Sequence, residues 1–170
     1  KAQTETAMET LWDEEFGMFL NRNLADGTLS RRIAPTNFYA LQSDLVTDIQ
    51  KHRMMEHFYN PEEFWGDYIL PTIARNDPGF PDNNYWRGRI WAPTNFLAYA
   101  AMKYAGLKEA CNDLAIKSEE LILKEWRLHG HVHENYGCAD GMGCGLENSD
   151  KFYHWGGLLA YIALDNEENQ

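Results

Sequence analysis

Cysteine is scarce and odd in number: Cys111, Cys138 and Cys144 are the three among 170 residues. That excludes a self-contained disulfide framework and points to reduced thiols. No run approaches the roughly 18 apolar residues that a membrane-spanning helix needs, and no signal peptide opens the chain. Basic residues are outnumbered 15 to 26, for a formal charge of -11. An acidic surface repels phosphate backbones and anionic lipid alike, which excludes nucleic acid and membrane as partners. Also missing are the Gly-x-Gly-x-x-Gly and phosphate-loop signatures of nucleotide sites and the Gly-x-Ser-x-Gly of serine hydrolases. No cofactor is indicated, and reduced thiols without a leader favour the cytoplasm.

What the chain does have is apolar and aromatic content, 44% and 14%, enough for one ordered domain with a genuine core. Apolar spacing predicts a helix over 3–12, with Ala7, Met8, Leu11 and Trp12 on one face. Asp26-Gly27 marks a turn, giving a short hairpin of Met18–Asn21 against Thr28–Arg31. Pro35-Thr36 opens a helix to about 45, with Phe38, Leu41 and Leu45 inward. Thr47 caps another over 48–59. Asn60-Pro61-Glu62-Glu63 reads as a further helix start that Gly66 cuts short. A breaker-rich loop then runs to Trp91, unusually long for a compact domain unless it has a function. Helices return at about 92–104, ended by Gly106, and at 108–127, where Ala110, Leu114, Ile116, Leu121 and Ile122 form the apolar positions. A second Gly-rich loop spans 130–150, and an apolar helix over 152–165 closes the chain. The pattern is all-α apart from the hairpin.

Tyr85-Trp86-Arg87-Gly88-Arg89-Ile90-Trp91 concentrates two tryptophans and two arginines in the first loop. Rings stack on the C–H faces of sugars while guanidinium groups bind hydroxyls, so the stretch suits the floor of a sugar cleft. It equally suits a packed loop whose arginines pair with the chain's many carboxylates. In the second loop Glu134 stands among aromatic and amide neighbours, a setting in which burial and hydrogen bonding tune a general base; an ordinary loop acid fits the same residues. His129, His131 and His133, with Cys138 and Cys144, supply zinc-type donors but match no compact knuckle. Asp140, Glu147, Asn148 and Asp150 fail the EF-hand pattern. No metal site is expected.

Asn60-Pro61-Glu62-Glu63-Phe64-Trp65-Gly66, Ile73-Ala74-Arg75-Asn76-Asp77-Pro78, the 85–91 stretch and His133-Glu134-Asn135-Tyr136 together resemble the C-terminal part of the catalytic domain of glycoside hydrolase family 63. Leu11-Trp12-Asp13 with Gly17 and Tyr153-His154-Trp155-Gly156-Gly157 extend the match over nearly the whole chain. The resemblance implies a partial (α/α)6 barrel, a ring of helix hairpins whose long loops form the cleft. It implies an inverting α-glucosidase-like hydrolase acting on an oligosaccharide or small glycoside. Glu134 then matches the general base, and Tyr85, Trp86, Arg87, Trp91 and Trp155 line the sugar subsite. The family's catalytic aspartate and about half of its barrel would precede the segment matching Lys1. The isolated chain is therefore expected to be an inactive C-terminal fragment, partnered by the missing N-terminal part or by a second copy. The alternative is a non-catalytic carbohydrate-binding or scaffold domain derived from such an enzyme. The faces expected to lie open to a partner are those of Met8, Leu11 and Trp12 and of Phe152, Trp155, Leu158, Leu159, Tyr161 and Ile162.

Overall fold

The computed structural model of the chain describes residues 2–143 and 149–168. Cys144, Glu147 and Asn148, weighed above as metal donors, lie outside the described residues. Helix α1 (Ala2–Leu11) leads into strand β1 (Trp12–Asp13), which pairs antiparallel with β2 (Met18–Phe19). Strand β3 (Asn21–Arg22) pairs in turn with β4 (Leu29–Ser30). The helix expected over 3–12 thus stops at Leu11, and the single hairpin expected over 18–31 is two. Local chemistry explains the first one. Asp13 Oδ1 accepts from the Glu15 and Phe16 amides at 3.1 and 3.0 Å, and Gly17 takes φ 80, so the chain folds back at once. Met18 and Phe19 therefore pair backwards with Trp12 and Asp13, and only Asn21 and Arg22 pair across the Asp26-Gly27 turn.

A 3-10 helix (Pro35–Gln42) replaces the α-helix expected to 45. Asn37 fixes it, donating from Nδ2 to Phe19 O at 2.7 Å and accepting the Ala34 amide on Oδ1 at 2.8 Å. The backbone is extended again at Ser43, so Leu45 stands 42% exposed instead of facing inward. Helix α2 (Asp48–Phe58) carries the expected cap: Thr47 Oγ1 accepts the Gln50 amide at 3.2 Å and Gln50 Oε1 accepts the Thr47 amide at 3.0 Å. No helix follows at Asn60. The amides of Glu63, Phe64 and Trp65 all converge on Asn60 O, and Arg75 takes the carbonyls of Trp65 and Tyr68.

After a short 3-10 turn at Phe80–Asp82 come α3 (Ala92–Tyr104) and α4 (Lys108–His129). Left-handed glycines end both, Gly106 at φ 75 and Gly130 at φ 70. On α4 the residues Ala110, Leu114, Leu121 and Ile122 are buried as expected, but Ile116 is 46% exposed because it falls off the stripe that includes Cys111, Ala115, Ser118 and Glu125. The closing helix is shorter than expected: a 3-10 turn (His154–Gly157) precedes α5 (Leu158–Glu167). Helix α3 packs against the Pro35–Gln42 segment, and α4 and α3 both pack against α5. That packing buries Leu159 and Ile162 fully, which removes them from the face expected to be open. Met8, Leu11, Trp12 and Leu158, also expected to be open, are partly buried against the chain's own core, whereas Phe152 and Tyr161 do stand exposed. Among the described residues no helix is long and apolar enough to cross a membrane.

Candidate active site

A minimal ladder brings the two long loops together. The Thr72 amide donates to Arg89 O at 2.9 Å, and Ile90 exchanges both backbone bonds with Tyr136 at 2.8 and 2.9 Å. A second crossing lies beside it, where the Glu134 amide donates to Asp150 O at 2.8 Å and the Phe152 amide to Val132 O at 2.9 Å. The chain then passes directly over this crossing at Gly156, where a β-carbon would lie 2.7 Å from His133 O. Only glycine permits that approach, and it sets Trp155 against Glu134.

Glu134 is 5% exposed. Its Oε1 accepts the Tyr85 hydroxyl at 3.1 Å, and its carbonyl accepts Trp155 Nε1 at 3.3 Å. Tyr85 occupies a tight turn in which Asn84 and Arg87 exchange backbone bonds at 3.0 and 2.8 Å. Trp91 Nε1 donates to Tyr85 O at 2.9 Å. The rings form a continuous wall. Trp86 stacks on Trp91 at 3.8 Å between centroids, Tyr85 meets Trp91 edge-on at 4.7 Å, and Trp155 lies 5.7 Å from Trp91. Trp91 is fully buried, whereas Trp86 is 48% exposed and caps the outer side. Tyr85, Trp86, Trp91, Trp155 and Glu134 are thus brought together. Arg87 is directed elsewhere: its Nε pairs with Asp82 at 3.0 Å, with both side chains about half exposed.

The wall rests on buried polar groups, of which Glu125 was not singled out in the sequence. Arg89 is 1% exposed and donates from Nε to Asn135 Oδ1 and from Nη2 to Met142 O. Burial lowers its guanidinium from the usual arginine range. The arginine pair was visible in the sequence, but not which member turns inward. Behind Glu134, His133 Nδ1 lies 3.1 Å from Glu125 Oε2, which also accepts the Gly143 amide at 3.0 Å; both side chains are wholly buried. The signal for Glu125 was its place four residues after Leu121 on the apolar stripe of α4. The three histidines do cluster, with ring centroids 4.5 to 5.9 Å apart. Burial first, then His131 and His129, hold the His133 pKa down at about 4, so its ring is neutral at ordinary pH. Among the described residues no group of three or more His, Cys, Asp or Glu is arranged to hold a metal ion. Cys138 is buried and directs its thiol to Tyr68 O.

An arc of helices whose long loops gather aromatic rings around one buried carboxylate has the form of part of an (α/α)6-barrel glycosidase. The crystal structure of the family 63 mannosylglycerate hydrolase from Thermus thermophilus in complex with glucose superposes at a TM-score of 0.75. That match is 21% identical and covers 93% of this chain and 38% of the other. The model of the mannosylglycerate hydrolase MGH1-like glycoside hydrolase domain matches residues 1–155. The chain belongs to this family, within glycoside hydrolase family 63. Mannosyl-oligosaccharide glucosidase of Saccharomyces cerevisiae is 34% identical over 117 residues, 61% of this chain and 14% of that protein. A mannosylglycerate hydrolase of Thermus thermophilus is 25% identical over 159 residues, 92% of this chain and 35% of that protein. The chain therefore spans between about a seventh and about a third of these curated relatives.

Proposed function

We propose that the chain is the base-carrying segment of an inverting α-glucosidase-type hydrolase, completed by a preceding part of the barrel that supplies the aspartic acid. The observation that carries this reading is Glu134, nearly buried in an aromatic wall yet hydrogen-bonded at its carboxylate by Tyr85. In the reaction Glu134 accepts a proton from water as the water oxygen bonds to the anomeric carbon. The glycosidic C–O bond breaks with its electron pair on the leaving oxygen, which the acid protonates. Two carboxyl groups about 6.5–9.5 Å apart leave room for that water on the far face of the sugar. Tyr85, Trp86 and Trp155 form the stacking wall for the non-reducing sugar, backed by the fully buried Trp91. The names of the relatives favour a mannosyl oligosaccharide or a glycerate glycoside as substrate.

The test is the anomeric configuration of the first-formed sugar, followed by proton NMR on the completed enzyme with an α-glycoside. Release of the β-anomer supports the reading. The α-anomer contradicts an inverting base, and sugar binding without any release favours the non-catalytic alternative.

A further inference from the structure

We propose that Tyr85 is a positioning residue for Glu134: its hydroxyl holds the carboxylate so that one orientation faces the attacking water. The inference rests on Glu134 being the base. A free glutamate turns about its last side-chain bond with little preference, since such torsions are broad. The 3.1 Å bond from the Tyr85 hydroxyl to Oε1 selects one setting. A base that must meet a water within hydrogen-bond reach gains directly from that selection.

The construction around Tyr85 serves this contact at some cost. Its backbone sits at φ 47, in the left-handed region that an aromatic residue rarely adopts. The turn holds it there from both sides. Asn83 before it is also left-handed at φ 42, and Gly88 after it takes φ 95 where a β-carbon would meet Phe80 O at 2.7 Å. The tryptophans grip the same pair from behind, Trp91 through Tyr85 O and Trp155 through Glu134 O. Both ends of the Tyr85–Glu134 contact are thus tied to one aromatic cluster. A tyrosine present only to stack on sugar would need neither the strained backbone nor the bond to the acid. Burial and the Glu134 bond also raise the phenol's pKa, which keeps it a donor. Tyr85 neither gains nor loses a proton in the reaction.

Tyr85→Phe in the completed enzyme keeps the ring against Trp91 and deletes only the hydroxyl. The expected result is a kcat lower by about 10- to 100-fold with KM nearly unchanged, the mark of lost orientation. A raised KM with kcat intact would make Tyr85 a sugar ligand and overturn the proposal, as would unchanged kinetics. A second measurement needs no catalysis. In NMR of isotope-labelled tyrosine, Glu134→Gln should move the Tyr85 titration down towards the ordinary phenol range; an unmoved titration also overturns it. Near-normal turnover of Glu134→Gln would instead remove Glu134 as base, a separate failure.

Discussion

Asn95 lies in the first turn of α3, just after the aromatic stretch, and its replacement gives a sharp test of how the loops are held. The side chain is fully buried at the start of α3. Oδ1 accepts the Leu70 amide at 2.6 Å, and Nδ2 donates to Leu70 O at 3.1 Å and to Trp91 O at 2.9 Å. One amide therefore satisfies both backbone groups of a residue that is itself 0% exposed. In Asn95→Ala the Trp91 carbonyl keeps the Thr94 hydroxyl at 2.9 Å, but Leu70 loses both partners. Each orphaned buried group costs about 1–3 kcal/mol, so the expected loss is roughly 2–6 kcal/mol. Against a typical ~5–15 kcal/mol that is a large share of the whole. Asn95→Asp keeps the acceptor for the Leu70 amide but sets an oxygen against Leu70 O, and is expected to be no milder. Urea unfolding followed by circular dichroism measures both. A loss under about 1 kcal/mol with an unchanged m-value would refute this reasoning.

Two histidines give opposite pH dependences. Burial alone would lower His57, but Glu63 at 2.6 Å from Nδ1 and Phe16 O at 2.8 Å from Nε2 outweigh it and raise its pKa above 6.5. Its stabilising contribution is full below 6.5 and is lost as pH rises through the raised value; Glu63→Gln should remove that alkaline fall. His133 is the reverse, held at about 4 when folded, so its contribution is present above 6.5 and is lost as pH falls towards 4. Unfolding free energies across this range should show both limbs, and a His133→Gln variant with an undiminished acid limb would count against the second.

The parts legible in the sequence were those decided locally. The Thr47–Gln50 capping box, the glycine stops at 106 and 130 and the bounds of α3 needed only neighbouring residues. The aromatic wall and Glu134 were legible as composition within ordered motifs. What was not legible depended on distant partners. Met18 and Phe19 pair backwards because Asp13 closes the turn, and Pro35–Gln42 tightens into a 3-10 helix because Asn37 reaches Phe19 O. Arg87 and Arg89 are separated by a single glycine, yet one meets solvent and the other Asn135. The bridge between Ile90 and Tyr136 decides that, joining two loops too far apart in the chain for any local pattern to show it. Leu159 and Ile162 were read as an open face for the same reason: α3 and α4 cover them.

The central claim is that Glu134 activates water in the completed enzyme, and steady-state turnover of Glu134→Gln tests it most directly. The substitution keeps size and shape, and leaves the Tyr85 hydroxyl an acceptor, while removing the ability to take a proton. A positioned general base contributes about 10²–10⁴-fold. The expected result is a fall in kcat of that order, with the sugar still bound at close to its original affinity. Near-normal kcat would contradict it.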